Sequence, residues 1–321
     1  MEFIREIFSI PFGYLIGLFY SLSNNYILSL LFMTIAVKLV LLPSSIKQQK
    51  SMAKSQRLQP KLRRIKEKYP NDQRKQQEET SALYQREGYS SMTGGCAPML
   101  ITLPVMMGVY FVNYKLLSFV LKFNDATVKA LEAGVRAVPG LNEKTDLSAY
   151  RMQLTVISNW NNPSFNKAGL STEVIEKMDK FVNSFHFLGM DLGRVPKTNM
   201  PLSDRLWLIP IITGIVSLAM AIYTYIRQKK TNPEMANNPS MGCMTFMSPA
   251  MSIWFSFMFP ASVGVYIIMS TALSFVQMII LNHTHSPKKV LARLMVEETI
   301  NHRAKEKVLK QVAENADKSE E

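Results

Sequence analysis

Residues 26–46 read YILSLLFMTIAVKLVLLPSSI, and Lys38 is the only charged residue among them. The hydrocarbon core of a bilayer is about 30 Å thick and is crossed by roughly 20 apolar residues in an α-helix. The segment therefore predicts a transmembrane helix that carries one lysine near its middle.

Further apolar blocks follow this first one along the chain. The last block has 38 uncharged residues, which is too long for one span, and Pro260 near its middle indicates a tight turn between two spans. The predicted spans are residues 26–46, 97–121, 206–226, 244–259 and 261–281. The blocks predict an all-α fold, a polytopic membrane helical bundle with five transmembrane helices. A soluble core would need four or five buried helices of this composition, which disfavours that class.

The N-terminal segment, residues 1–25, is apolar but harder to assign. Its run FSIPFGYLIGLFY at residues 8–20 is short for a span, and Pro11 interrupts it. Glu2, Arg5 and Glu6 nearly cancel, whereas a signal peptide begins with net positive charge. We expect an amphipathic helix that lies in the interface at the outer face of the membrane. A sixth span and an uncleaved signal are the alternatives.

The charges between the spans predict the orientation of the chain. Residues 47–92 contain 12 Lys or Arg and five acidic residues, whereas residues 122–204 contain 10 basic and nine acidic ones. Because cytoplasmic loops are rich in Lys and Arg, we assign residues 47–95, the loop 227–243 and the tail 282–321 to the cytoplasm. The near-neutral segment 122–204 is then outside, with the N-terminus outside and the C-terminus in the cytoplasm.

The first cytoplasmic segment predicts a basic helical hairpin. Apolar residues recur there with helical spacing up to the turn Tyr69-Pro70-Asn71-Asp72, and glycines at 88, 94 and 95 end the second helix. The candidate docking residues are Lys54, Arg57, Lys61, Arg63, Arg64, Lys66 and Lys68. One interpretation of the hairpin is a docking arm for a ribosome, a nascent chain or lipid headgroups. The other is a solvated arm whose charge sets the topology of the chain. The two interpretations are compatible.

An amphipathic stripe between residues 174 and 185 stands out in the outer segment. It can pack on the membrane surface or on a small outer subdomain. In either case, structural packing is favoured over a functional role.

Catalytic and cofactor motifs do not occur in the sequence. There is no glycine-rich phosphate loop, no CxxC or HExxH, and no GxSxG. The predicted spans contain no Asp or Glu, which disfavours a proton-coupled carrier and an aspartyl intramembrane protease. We therefore expect no enzymatic activity, no cofactor and no metal site, and no specific binding of nucleic acid.

Lys38 is the candidate functional residue. A lysine at the centre of a span is unfavourable by about 2.5–3.5 kcal/mol, and no acidic residue in any predicted span can pair with it. We expect a hydrated cavity among the helices that keeps it charged. Polar residues of the spans that could line the cavity are Thr34, Thr102, Asn113, Ser217, Tyr266, Ser270 and Gln277. The alternative is that Lys38 extends to the surface along its four-carbon stem.

Several strings of the sequence occur together in one known family. Pro43 follows Lys38 by five residues, and then come SMAKSQRLQPKLRRIKEKYPND at 51–72, LYQREG at 83–88, GGCAPMLITLPVMMGVYF at 94–111, FLGMDLG at 187–193 and FMFPASVGVYIIMS at 257–270. In this order they resemble the YidC family of membrane-protein insertases, over about residues 8–285.

The resemblance implies a groove that is open to the cytoplasm and to lipid and closed on the outside. Lys38 stands where the family has an arginine, and Thr34 and Tyr266 match polar groove positions. Thr102 stands where many members have a glutamine. Lysine keeps the charge but lacks the planar fork of arginine, which removes bidentate contacts. The outer segment is longer than the family core implies, and the absence of a large outer domain before the first span is similar to Gram-positive members.

The function implied is insertion and chaperoning of membrane proteins in a bacterial plasma membrane, without ATP. The partners implied are nascent membrane proteins and lipid, with the Sec translocon and the ribosome as further candidates. Two other classes stay open at this point. One is a small-solute channel or carrier that uses the cavity, and the other is a membrane-anchored protein that docks ribosomes through its basic hairpin.

Overall fold

The apolar blocks fold into long α-helices in the computed structural model of the chain. It describes residues 2–87, 97–142, 147–148, 151–198, 200–231, 239–284, 292, 295–296, 299–300 and 303–310. The side chains at 2–8, 52–57, 97–103, 106, 114, 231 and 239–244 lie outside this description. The helices are α1 (Glu2–Ser23), α2 (Tyr26–Lys68), α3 (Gln73–Arg86), α4 (Ala97–Tyr114), α5 (Leu116–Phe119), α6 (Asp125–Val135), α7 (Met152–Asn159), α8 (Thr172–Phe185), α9 (Leu208–Thr231), α10 (Pro239–Met258) and α11 (Ala261–Thr284). A two-stranded ribbon, β1 (His186–Phe187) and β2 (Met190–Asp191), is a small exception to the all-α prediction.

Three helices of the described part of the chain are long and apolar enough to cross a membrane. They are α2 over Tyr26–Ser51, α9 with its preceding 3-10 turn over Arg205–Lys230, and α11 over Ala261–Thr284. These coincide with three of the five predicted spans. The described helices support an all-α membrane protein, while the count of five spans stays a prediction.

The second apolar block divides into two helices. Helix α4 ends at Tyr114, and the short helix α5 follows it, whereas the sequence pattern is continuous to residue 121. Leu116 and Leu117 are fully buried, and the Leu117 backbone N–H donates to Oε1 of Gln153 at 3.0 Å. At this end of the block, the apolar side chains therefore pack against the outer segment instead of lipid. Hydropathy cannot distinguish these two environments, because both bury apolar side chains.

Helix α1 is apolar on two opposite faces. Pro11 lies inside the helix. On one face Gly17 lies against the chain at Phe119, where an added Cβ would stand 2.4 Å from the Phe119 carbonyl oxygen. The other face exposes apolar side chains one turn apart, namely Ile10, Tyr14, Leu18 and Leu22. A row of this kind suits contact with lipid, which the predicted interfacial position requires.

The described residues of segment 122–204, the predicted outer segment, form a packed subdomain. The apolar face of α8 is buried against two helices. The Phe185 ring lies 4.8 Å from the ring of Tyr26 at the start of the first span, and the Phe181 ring lies 5.4 Å from the ring of Tyr20 in α1. Trp160 is fully buried and donates its indole N–H to Asp179 at 2.6 Å. The stripe of α8 therefore packs on the protein, which is one of the two alternatives that the sequence leaves open.

The chain divides into two compact units, Met1–Leu41 with Met99–Val276 and Leu42–Pro98 with Gln277–Glu321. In the second unit, α3 begins after the turn at residues 69–72, and Asp72 caps it by accepting from the Lys75 N–H at 3.0 Å. Lys61 of α2 forms an ion pair with Glu87, directly after α3. The glycines at 88, 94 and 95, which the sequence predicts to end the second helix of the hairpin, lie outside the described residues.

Candidate functional site

The charge in the first span lies deep within its helix. Lys38 follows Tyr26 by 12 residues, which is about 18 Å along an α-helix. Its side chain is half-buried, and its ammonium donates to the Ser274 hydroxyl of α11 at 2.6 Å. The Ser274 hydroxyl in turn donates to the Ser270 carbonyl at 2.7 Å. The serine thus presents its oxygen to the cation, and a chain of two hydrogen bonds joins α2 to α11.

Two rows of polar residues meet at this hydrogen bond. Thr34 and Lys38 are four residues apart on α2, and Tyr266, Ser270 and Ser274 recur every four residues on α11, so each row lies along one helix face. Tyr266 is buried. The described residues therefore place a cation and a hydroxyl group in contact near mid-span, with Tyr266 about two turns before Ser274 on the same face of α11.

The residues predicted to line the cavity differ in whether they contact the Lys38–Ser274 pair. Thr34 is buried and donates its hydroxyl to the Leu30 carbonyl at 2.6 Å, one turn back on its own helix. Ser270 takes part through its carbonyl, and the side chain of Thr102 lies outside the described side chains. Asn113 belongs to a different network, described below. Ser217 is buried on α9, and Gln277 belongs to the second unit.

Ser274 is the site residue that sequence reasoning missed. Its signal was present, because it lies four residues after Ser270 and eight after Tyr266 on one face of a single helix. Serines in spans commonly bond to their own helix, so the residue type alone does not single it out. Only the juxtaposition with Lys38 distinguishes it.

A buried hydrogen-bond network lies at the N-terminal end of the first span. Asn113 of α4 accepts two hydrogen bonds on its Oδ1, from the Tyr26 hydroxyl at 3.2 Å and from the Ser262 hydroxyl at 2.8 Å. Its amide donates to the Val109 carbonyl at 2.8 Å. All three side chains of the network are fully buried. The network ties α2, α4 and α11 together through buried side chains.

The basic residues of the predicted hairpin are partly paired. Lys61 bonds to Glu87, and Arg63 bonds to Glu67 at 2.7 Å. Arg64 and Lys66 are exposed, while the side chains of the two remaining N-terminal candidates, Lys54 and Arg57, lie outside the described side chains. Lys68 lies 5.2 Å from the centre of the Tyr69 ring. Exposed pairs of this kind contribute about 0–1 kcal/mol, so the charge remains mainly a surface potential.

The chemistry of the site is electrostatic. A cation beside hydroxyl groups attracts an anionic group and offers it hydrogen bonds. Within the described part of the chain, no three His, Cys, Asp or Glu side chains lie close enough together to bind a metal ion.

Comparisons with known proteins give a consistent result. The family model described as 60Kd inner membrane protein matches residues 18–289. Membrane protein insertase YidC of Caulobacter vibrioides is 39% identical over 124 residues, covering 39% of this chain and 18% of that protein. Membrane protein insertase MisCA of Bacillus subtilis is 26% identical over 249 residues, covering 76% of this chain and 65% of that protein. Membrane protein insertase YidC of Alkalihalophilus pseudofirmus is 43% identical over 97 residues, 28% of this chain and 38% of that protein. The chain thus spans less than two thirds of each of these relatives.

Proposed function

The chain belongs to the 60Kd inner membrane protein family, and on that premise we propose that it is a membrane-protein insertase and folding chaperone, not an enzyme. The observation that carries the proposal is the ammonium of Lys38, which lies near mid-span and is bonded to Ser274 of a second span. A charge at that depth is unfavourable for the fold, which favours a functional reason for it.

The proposed mechanism follows from the electrostatics of a bilayer. A substrate must move a polar flank across a low-dielectric layer, and a hydrated groove that reaches part-way shortens the dehydrated distance. The groove is open to the cytoplasm and to lipid and is lined by Lys38, Thr34, Thr102 and Tyr266. Its cation attracts acidic flanks and repels basic ones, which matches the positive-inside outcome for the substrate.

The driving force does not require ATP in this proposal. The apolar segment of the substrate leaves the groove for lipid, and partition of that segment is favourable by about 0.8 kcal/mol per buried CH₂. The membrane potential adds about 2.3 kcal/mol per charge per 100 mV when a charged flank crosses the membrane in the direction that the potential favours.

The proposed setting is a bacterial plasma membrane, with the N-terminus outside and the C-terminus in the cytoplasm. The partners are nascent membrane proteins and lipid. The basic hairpin then faces the cytoplasm, where its exposed Arg64 and Lys66 suit contact with the Sec translocon or the ribosome. A protein that only docks ribosomes is the second candidate function, favoured by the same exposed charges.

The test is insertion into proteoliposomes. The purified full chain is reconstituted, and a small substrate with a short acidic flank is added, with protease protection of the flank as the measurement. We expect protection with the protein and none in matched empty liposomes. Protection at the same level in both would overturn the insertase proposal. Ribosome binding without protection would favour the docking protein, and saturable flux of a small solute would favour a channel or carrier.

Ser274 provides a sharper test of the site. We expect Ser274→Val to lower insertion of the acidic-flank substrate and Ser274→Thr, which has nearly the same shape but keeps the hydroxyl, to leave it close to wild type. The expected loss is roughly three- to tenfold, because a hydrogen bond to a charged group contributes about 1.5–3 kcal/mol and water replaces part of it. Initial rates of protease protection measure the effect. Equal rates for the two variants would show that the hydroxyl does not position Lys38.

A further inference from the structure

The ribbon of the outer subdomain presents apolar side chains on a strained turn. Phe187 pairs with Met190, and between them Leu188 and Gly189 both have positive φ, 52° and 76°. Leucine rarely adopts the left-handed region, because its Cβ approaches the backbone there. Leu188 is nevertheless 58% exposed and Phe187 39% exposed, so burial in the subdomain does not explain them. A strained and exposed apolar tip calls for a contact outside the subdomain.

Hydrogen bonds fix this tip at the level where two candidate spans begin. The Leu188 carbonyl accepts from Nη1 of Arg205 at 2.9 Å, and Arg205 is the first residue of the span that contains α9. The positive φ of position 189 favours glycine, and a Cβ there would stand 2.6 Å from the same nitrogen, so the guanidinium would have to shift.

A second set of hydrogen bonds independently holds the chain just after the ribbon at the start of another candidate span. The backbone N–H groups of Ala261 and Ser262 donate to the carbonyls of Arg194 and Leu192, each at 2.8 Å. Ala261 is the first residue of the span that contains α11. These two donors are among those that a helix start leaves without an intrahelical partner, so the chain after the ribbon caps α11.

The surroundings of the tip continue the lipid-facing surface. Leu202 is 88% exposed, and an exposed apolar row runs along α9 from Leu208 through Ile211 to Ile215. Trp207 lies at the start of the same helix, a residue type that is enriched at membrane interfaces. The tip is bonded to Arg205, the residue from which this exposed apolar span continues.

We propose that Phe187 and Leu188, together with Leu202, insert into the acyl-chain region of the adjoining leaflet as an interfacial anchor of the outer subdomain. The anchor fixes the depth at which α9 and α11 begin. This inference requires only that these helices span the bilayer, and it stands apart from the insertase proposal.

Depth measurement tests the anchor. Leu188→Cys and Leu202→Cys are each made in the full chain with Cys96→Ser and Cys243→Ser. Each variant is labelled with an environment-sensitive NBD dye and reconstituted into phosphatidylcholine–phosphatidylglycerol vesicles. Lys177→Cys is the matched control, because Lys177 lies on the water-facing side of α8, paired with Glu173 at 2.6 Å. We expect blue-shifted emission at 188 and 202, quenched by nitroxides on the acyl chains, and water-like emission at 177, quenched by iodide.

Two results would overturn the proposal. One is a label at 188 that is as accessible to iodide as the label at 177. The other is a blue-shifted label that acyl-chain nitroxides do not quench, which would assign the contact to protein. Leu188→Asn adds a variant that keeps the fold, because asparagine tolerates the left-handed region. In that background we expect the label at 202 to lose most of its quenching by nitroxide lipids, and unchanged quenching would also count against an anchor at Leu188.

Discussion

Lys38→Leu is expected to abolish most insertion of a substrate with an acidic flank, while Lys38→Arg keeps it. The leucine variant removes the ammonium that lies near mid-span and bonds to Ser274, and with it the attraction for a carboxylate in the groove. Two unit charges 4 Å apart attract by about 4 kcal/mol at an effective dielectric constant of 20. Since about 1.4 kcal/mol is already a factor of ten, the insertion rate should fall at least tenfold.

The charge of the substrate separates this explanation from a general loss of fold. Lys38→Leu should affect an acidic flank strongly and a neutral flank little, and a basic flank should insert no worse than before. The variant should also unfold at the same temperature as wild type or higher, because a central lysine is unfavourable by about 2.5–3.5 kcal/mol. Protease protection in proteoliposomes and thermal unfolding in detergent are the two measurements.

Lys115→Leu is the matched control, since Lys115 is an exposed lysine at the end of α4. It should leave insertion unchanged for all three flanks. If Lys38→Leu inserts all three substrates at the wild-type rate, Lys38 is not the electrostatic centre of the groove. If it lowers all three equally and also unfolds at a lower temperature, its role is structural.

Local features of the sequence predicted the elements of this site, and long-range packing decided its geometry. The apolar block around Lys38 predicted a span and an isolated charge, because both are properties of one helix. The bond from Lys38 to Ser274 joins residues 236 positions apart, so no local pattern reveals it. The same applies to Gln153, which accepts a hydrogen bond from the Leu117 backbone N–H. Leu117 lies just after the point, Tyr114, where the helix of the second apolar block ends earlier than the sequence predicts.

The outer subdomain shows the same division. The spacing of Met178, Phe181 and Phe185 predicted an apolar helix face, and that face is buried. Its partners at the start of the first span, among them Tyr26, depend on where α8 lies in three dimensions. The left-handed Leu188 was beyond prediction, because sequence rules assign such positions to glycine and asparagine.

Asn113→Leu is expected to destabilise the fold by about 2–4 kcal/mol, since each buried hydroxyl left without a partner is unfavourable by about 1–3 kcal/mol. The substitution removes the oxygen that accepts from both Tyr26 and Ser262. Leucine has the same number of side-chain heavy atoms as asparagine and the same branching at Cγ, so the substitution changes hydrogen bonding more than shape. Thermal unfolding in detergent, followed by tryptophan fluorescence, measures the effect.

The triple variant Asn113→Leu, Tyr26→Phe and Ser262→Ala separates hydrogen bonding from packing. It removes both stranded hydroxyls, and replacing all partners of a buried bond by apolar groups is nearly neutral, so most of the lost stability should return. Asn159→Leu is the control for the substitution itself, because Asn159 bonds only to the Thr155 carbonyl of its own helix, at 2.9 Å, among the contacts resolved for it. A triple variant as unstable as Asn113→Leu would assign the effect to packing. If the Asn113→Leu variant is as stable as wild type, the packing of α2, α4 and α11 does not depend on this network.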